Sequence, residues 1–164
     1  MSDFLHKIAL PCSTRRWRAM FLPVLIVAVG CAAMPAGGED SAPSMIGPVT
    51  ITRARHDRIV DYPWGRLRWH ASADIGNSKT MTVGEATFKP GTGIPEHSHP
   101  NGDEIVHVLK GCVLFTVGDR AIELKEVDTA NIPAGVHHGG RSIGATEAIM
   151  SVSFSSASRL IVWE

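Results

Sequence analysis

Short strand-like runs separated by turn signals are the feature that most constrains the fold of this chain. From about Val49 onward, each run spans only four to nine residues, and Gly, Pro, Asn and Asp stand between the runs. No stretch has a long helical period. Strands of this length and spacing predict an all-β sandwich or small barrel. The candidate strands are Leu67–His70, Thr80–Phe88, Glu104–Leu109, Cys112–Val117, Ala121–Leu124, Thr129–Ile132, Ala148–Phe154 and Leu160–Trp163.

The first 33 residues have the pattern of a secretory signal. Arg15, Arg16 and Arg18 precede an apolar run over residues 21–33, which ends in small residues. That run is short for a membrane span, which needs roughly 20 apolar residues. A basic region, a short apolar region and a small-residue end together predict cleavage after Ala33 and export to the periplasm or the extracellular space. The mature chain would then have no membrane span.

Two alternatives to this signal peptide stay open. Residues 28–31, Ala-Val-Gly-Cys, resemble a bacterial lipobox, so the mature protein could instead be a lipoprotein with a lipid anchor at Cys31. The apolar run could also remain as an uncleaved anchor. Residues 34–48, rich in Ala, Gly, Pro and Ser, predict a flexible linker. Residues 49–164 then form one folded domain, as expected for a chain of 164 residues.

Charge gives little support to nucleic-acid binding. The whole chain has 16 basic and 16 acidic residues, but residues 34–164 have 12 and 15, a net charge of −3. No basic stripe stands out there, and a nucleic-acid partner is therefore not expected. A small-molecule substrate or ligand is the expected partner.

Five of the eight histidines lie between residues 97 and 138, and their spacing predicts a metal site. His97 and His99 are two apart, so in an extended strand both imidazoles face the same side. The turn sequence over residues 100–103, Pro-Asn-Gly-Asp, would reset the alternation and let Glu104 begin a returning strand beside them. Two imidazoles and a carboxylate form a facial triad typical of non-haem iron. A third imidazole from His138 would complete four protein ligands.

Two further histidines in this region are less well placed to bind the metal. His107 is three residues beyond Glu104 on the same predicted strand, so it should face the opposite side. His137 and His138 are adjacent and should point in opposite directions if extended, so only one of them is a natural ligand. The sequence assigns no catalytic residue beyond the metal ligands and no residue to an organic cofactor.

The same residues resemble the signatures of the cupin superfamily. Gly91-x5-His97-x-His99-x4-Glu104-x6-Gly111 matches the first signature, and Pro133-x-Gly135-x2-His138 matches the middle of the second. The resemblance covers about residues 65–155. It implies a double-sheet, jelly-roll-like barrel that holds one divalent transition metal (Fe, Mn, Ni or Zn) through His97, His99, Glu104 and His138. In the second signature, Val127 stands where glycine is usual and Ser142 where asparagine is usual.

Family resemblance alone does not name a reaction, because cupins include dioxygenases, decarboxylases, isomerases, lyases and binding domains. We expect a metal-dependent enzyme, either an oxidoreductase or a lyase or isomerase, that acts on a small oxygenated organic molecule. The alternatives are a non-catalytic module that binds a metal or a small molecule, and a structural barrel.

Two expectations concern the strand around Trp64–His70. It is predicted to be an edge strand that adds to the sheet of a second copy, which gives a homodimer. Arg66 and Arg68 share one of its faces and could hold an acidic substrate, or they could be solvated side chains of that edge.

Overall fold

The computed structural model describes residues 44–164; the predicted signal peptide and residues 34–43 of the predicted linker lie outside the described residues. The regular secondary structure of this part is almost entirely β, with one 3₁₀ turn at Ala54–His56. Its strands are β1 Ser44–Ile46, β2 Val49–Ile51, β3 Arg58–Tyr62, β4 Gly65–Ala71, β5 Thr82–Phe88, β6 Gly93–Ser98, β7 Glu104–Lys110, β8 Cys112–Val117, β9 Arg120–Lys125, β10 Thr129–Ile132, β11 His138–Ser142, β12 Ala148–Phe154 and β13 Val162–Trp163.

Two antiparallel sheets make up the barrel. One has six strands in the order β10-β7-β12-β5-β4-β3, and the other has five in the order β13-β6-β11-β8-β9. The strands β1 and β2 pair only with each other, as a separate hairpin. From β5 to β13 the chain passes from one sheet to the other at every step except between β8 and β9, which gives the double-sheet barrel that the sequence predicts.

The core lies between the sheets because alternate side chains of each strand point inward. In β5 and β12, every second residue is buried from the first to the last. This period of two is what a strand with one covered face requires. The buried apolar residues form one cluster: Leu67, Trp69, Ala86, Phe88, Val106, Val108, Val113, Phe115, Leu124, Ile132, Ala148, Met150, Val152 and Phe154.

The pairing of β6 with β11 depends on glycine. A Cβ atom added at Gly93 would lie 1.9 Å from the carbonyl oxygen of Gly140 on the facing strand. Such a contact is far inside van der Waals separation, so the two backbones could not approach as they do with a side chain at Gly93. The ladder has an irregularity between His138 and Gly140, and His138 faces His97 across it. The glycine contact thus supports the strand pair that carries two of the candidate ligands.

The turn before Asp128 keeps a left-handed residue although its glycine is missing. Val127 has φ of 68°, a conformation that suits glycine and is costly for a β-branched residue. The turn closes with hydrogen bonds from the amide of Val127 to the carbonyl of Val108 and from the amide of Lys125 to the side chain of Asp128. The turn therefore has the left-handed backbone that suits glycine, with a valine in its place.

Two sequence expectations differ from the structure. The strand around Trp64–His70 is not an edge strand, because β4 pairs with β3 on one side and with β5 on the other. Residues 44–48 of the predicted linker form β1 and the turn of the β1–β2 hairpin. No helix within residues 44–164 is long and apolar enough to cross a membrane.

Candidate metal centre

Three chain segments bring the four predicted ligands to one point inside the barrel. His97 lies near the end of β6, and His99 follows that strand directly. Glu104 begins β7 after the turn at residues 100–103, and His138 begins β11 opposite His97. All four side chains are buried, and one ligand atom from each lies within 4.8 Å of the others.

Hydrogen bonds from the loops hold this arrangement. The amide of Gly135 donates to the carbonyl of His99 at 2.9 Å, which ties the loop before β11 to the end of β6. The amide of Ala134 donates to the Asp103 carboxylate at 2.9 Å, which ties the same loop to the turn before Glu104. The ligand-bearing segments are therefore joined by the residues between them.

Each imidazole uses one nitrogen to bind a backbone carbonyl. The Nδ1 atoms of His97, His99 and His138 lie 2.8, 2.6 and 2.9 Å from the carbonyl oxygens of Pro95, Leu160 and Val136. A carbonyl oxygen can only accept, so Nδ1 must carry the hydrogen in each ring. In the neutral imidazole this leaves Nε2 with its lone pair directed at the centre, as metal ligation by histidine requires.

The negative charge of the cluster lies on the carboxylate of Glu104. Burial opposes ionisation of its carboxyl, but the neighbouring His138 and His99 imidazoles outweigh burial and lower its pKa to about 2. Burial also lowers the pKa of His97, to about 4. The pKa of His138 is raised: burial opposes its charge, but the hydrogen bond with Glu104, at 2.8 Å, outweighs that effect.

These residues fit a divalent transition metal. Nε2 of His99 is buried and makes no hydrogen bond to the described part of the chain, although Oε2 of Glu104 lies 3.3 Å away. A buried polar atom without a partner is costly, and a cation between this nitrogen and the carboxylate would satisfy both. Two ligand atoms that each lie about 2.1 Å from one ion are at most about 4.2 Å apart. The four ligand atoms here lie within 4.8 Å of one another, which is close to that limit.

The cluster lines a small interior cavity of about 50 Å³. Since a cavity needs roughly 10–15 Å³ to hold one water molecule, this one holds only a few waters or one compact ligand. Apolar side chains of both sheets form most of the wall. The charged lining residues in the described chain are the cluster itself and Arg159, which the sequence patterns did not single out.

The other polar residues singled out from the sequence lie outside this cavity. Nδ1 of His107 lies 2.8 Å from the Thr129 hydroxyl on the neighbouring strand, and Nδ1 of His137 lies 2.8 Å from the Glu164 carboxylate. Arg66 pairs with Asp61 at 2.7 Å and Arg68 lies 3.9 Å from Asp57. These arginines do not reach the site, so the idea that they hold an acidic substrate is not supported.

Fold and site together define a class: a small antiparallel double-sheet barrel with three imidazoles and one carboxylate converging in its interior. Residues 84–154 match the model of the cupin domain family. The region that carries the signatures is therefore similar to a cupin domain, as the sequence resemblance indicates.

Known proteins similar to this chain include plant germins. It is 32% identical over 85 residues to a germin-like protein of Morus alba, which covers 49% of this chain and 41% of the relative. It is 33% identical over 95 residues to oxalate oxidase 1 of Hordeum vulgare, which covers 53% of this chain and 47% of the relative. The chain thus spans less than half the length of these curated relatives.

Two solved structures have a similar fold. A structure of oxalate oxidase superposes with a TM-score of 0.57 at 29% identity, over 62% of this chain and 56% of that chain. A structure of oxalate decarboxylase superposes with a TM-score of 0.62 at 22% identity, over 68% of this chain and 31% of that chain. The second likeness shows a shared fold.

Proposed function

We propose that this protein is a metal-dependent enzyme that acts on a small oxygenated organic molecule. The ligands of its single divalent transition metal are His97, His99, Glu104 and His138, and the metal is iron, manganese, nickel or zinc. The observation that carries this proposal is the convergence of three Nε2 atoms and one carboxylate on a buried point. Imidazole-rich sites suit transition metals, whereas calcium prefers oxygen ligands.

The described residues would support catalysis by holding the metal ligands in fixed positions. Backbone carbonyls fix the three rings, so the donor set is formed before a metal arrives. Four protein ligands leave about two of six octahedral positions for a substrate oxygen or water. The apolar wall limits the water around a bound ligand, which strengthens its electrostatic contacts with the site. A metal held there would supply Lewis-acid polarisation of a bound oxygen.

Similarity to proteins named oxalate oxidase guides the choice of first substrates. Because this chain matches part of those relatives, oxidation or decarboxylation of a small acid is the first reaction to test. The small cavity supports a compact molecule of this kind.

The experiment begins with metal analysis of protein purified without chelators. We expect one transition-metal ion per chain. The loaded protein is then assayed with oxalate and glycolate for oxygen uptake and for carbon dioxide release. Oxygen uptake would indicate an oxidase, and carbon dioxide release without it a decarboxylase.

The variants His97→Ala and Glu104→Ala should each lose the metal and any activity. The matched control is His107→Ala, which removes an imidazole from the outer face of β7. Full metal occupancy in both ligand variants would contradict the proposal.

A non-catalytic binding module is the second candidate. Among the described residues, the cavity wall offers no acid or base besides the cluster and Arg159. Tight binding of a small molecule by the metal-loaded protein without turnover would favour this function.

Export and processing of the chain also belong to the proposal. The supporting features are the basic cluster and the short apolar run within residues 1–33. Intact-mass measurement of the exported protein should give a chain that starts near Met34, while an acylated Cys31 would indicate the lipoprotein form.

A further inference from the structure

Arg159 lies over two aromatic rings beside the candidate metal centre. It belongs to the segment between β12 and β13, and its guanidinium carbon is 4.5 Å from the ring centroid of Trp69 and 5.1 Å from that of Phe154. The ring of Phe154 in turn contacts that of His99, at a centroid distance of 4.8 Å. A single aromatic ring therefore separates the guanidinium from a candidate ligand.

The guanidinium of Arg159 makes no contact ion pair among residues 44–164, and the carboxylates of Glu104 and Asp74 act on it only from a longer distance. No carboxylate oxygen there lies within 4.0 Å of it, and it donates no hydrogen bond to a described group. The arginines of β3 and β4 differ: Arg58 and Arg66 pair with Asp74 and Asp61 at 3.2 and 2.7 Å. A largely desolvated cation with five donors and no carboxylate in contact can pair directly with an anion from outside.

The backbone on both sides of Arg159 is fixed to the site. Nδ2 of Asn101 donates to the carbonyl of Ser158 at 2.8 Å, and the amide of Leu160 donates to Oδ1 of Asn101 at 2.9 Å. The carbonyl of Leu160 also accepts the hydrogen bond from Nδ1 of His99. The position of Arg159 is thus coupled to the turn that carries the candidate ligands, which distinguishes it from a surface arginine on a free loop.

Arg159 can also be reached from outside the barrel. It lines both the interior cavity and a groove of about 420 Å³ on the surface, which Tyr62 and Ser72 also border. Among the described residues, Arg159 is the charged side chain that borders both spaces.

We propose that Arg159 determines substrate specificity by binding the carboxylate of a small organic acid whose other oxygen atoms face His97, His99, Glu104 and His138. This inference rests on the proposed function, because it places the ligand in the same cavity. Planar, bidentate pairing of guanidinium with carboxylate provides the recognition. The cavity of about 50 Å³ limits the acid to a compact one. An uncharged molecule of the same shape lacks the group that Arg159 binds and is excluded.

The test is calorimetric binding of oxalate, and of its uncharged diamide oxamide, to the metal-loaded full chain. The wild-type protein should bind oxalate and not oxamide. Arg159→Gln and Arg159→Met should each weaken oxalate binding by about tenfold to a hundredfold, the range for a lost hydrogen-bonded charge. Arg159→Lys should keep part of the affinity. Metal content should stay unchanged in all three variants, and Arg66→Gln, which alters an ion-paired arginine outside the cavity, should bind oxalate like the wild type.

Several results would overturn the inference. Equal oxalate affinity in the wild-type protein and Arg159→Gln is one, and equal affinity of the wild-type protein for oxalate and oxamide is another. Loss of the metal or of folding in both Arg159→Lys and Arg159→Met would show that the residue only supports the aromatic cluster. Arg159-dependent binding of oxalate without turnover would support the inference and contradict the enzymatic function, so the two failures are distinguishable.

Discussion

At the scale of single residues, backbone carbonyls decide which nitrogen each imidazole presents to the centre. The acceptors come from three different places: Pro95 within β6, Val136 before β11, and Leu160 near the end of the chain. A side-chain acceptor could change its rotamer, but a carbonyl in a fixed backbone cannot. Each ring is therefore restricted to one tautomer and one orientation by the fold itself.

The adjacent histidines of β11 and its preceding loop provide the sharpest test of the ligand set. His138 is buried beside Glu104, while His137 is half-exposed and pairs with Glu164. We expect His138→Ala to lose metal binding severely, because one of four ligands disappears. His137→Ala should change stability only by about ±0.5 kcal/mol, as an ordinary surface substitution does.

Metal titration of these two variants side by side is the measurement. Loss of metal in His137→Ala with retention in His138→Ala would show that the ligand set is wrong. Loss in both would show that His137 supports the site indirectly.

The raised pKa of His138 predicts that protons compete with the metal. A histidine whose pKa lies above the usual 6.5 is protonated at pH 6, so an incoming ion must displace that proton. His97, with a pKa of about 4, and Glu104, with a pKa of about 2, are already deprotonated there. Metal affinity should therefore rise with pH below the pKa of His138, by up to about tenfold per unit, and level off above it.

Titrations between about pH 5.5 and 8, in buffers of different protonation enthalpy, measure the affinity and the protons released. About one proton per ion is expected below the pKa of His138. His137→Ala serves as the control and should keep the slope. Affinity independent of pH over this range would contradict the prediction.

At the scale of strands and turns, local pattern predicted most strands of the barrel and missed β1, β2, β3, β6 and β11. Strands β8, β10 and β12 begin and end as the sequence predicts, because clear turn signals on both sides define them. The strands β6 and β11 were not assigned because Gly, Pro, His and Ser fill them. Their strand form comes from pairing with each other and with neighbouring strands, which is not visible in local propensity.

The candidate site also has residues that the sequence predicted and one residue that it did not predict. The positions of His97, His99 and Glu104 on one face followed from alternation and from the turn at residues 100–103. Arg159 carried no such signal, because it lies in a serine-rich segment outside the cupin signatures. Its place beside the cluster depends on hydrogen bonds between residues about 60 apart in sequence, as between Asn101 and Leu160.

The turn at Val127 predicts a stabilising substitution. A left-handed conformation costs a non-glycine residue roughly 1–2 kcal/mol, while glycine adds about 0.5–1 kcal/mol of unfolded-state entropy. Val127 is exposed, so Val127→Gly loses little packing. We expect the free energy of unfolding to rise by about 0.5–1 kcal/mol.

Denaturant unfolding measures this change, and Val117→Gly is the control. Val117 is also a partly exposed valine, but it lies in β8 without a positive φ, so glycine there should destabilise the protein. A decrease in stability for Val127→Gly would show that the turn does not carry the expected strain.

At the scale of the whole molecule, the sheet edges determine how copies of this chain could associate. The homodimer stays a prediction, but its expected contact strand changes from β4 to β3. The strand β4 is paired on both sides, and β3 forms that edge of the six-stranded sheet. Ile59, on β3, is 44% exposed. Unpaired edges that carry apolar side chains favour strand addition. We therefore expect two copies to pair through β3 around a two-fold axis, with each copy presenting the same strand.

Light scattering on the full chain at micromolar concentration should give twice the mass of one chain. Ile59→Lys should shift the protein towards the monomer, because a two-fold axis near β3 brings the two introduced charges close together and like charges on paired strands repel. Ile122→Lys is the matched control, since Ile122 is an exposed isoleucine on β9, at an edge of the other sheet. A wild-type monomer would contradict the homodimer, and dissociation by Ile122→Lys alone would move the interface to the five-stranded sheet.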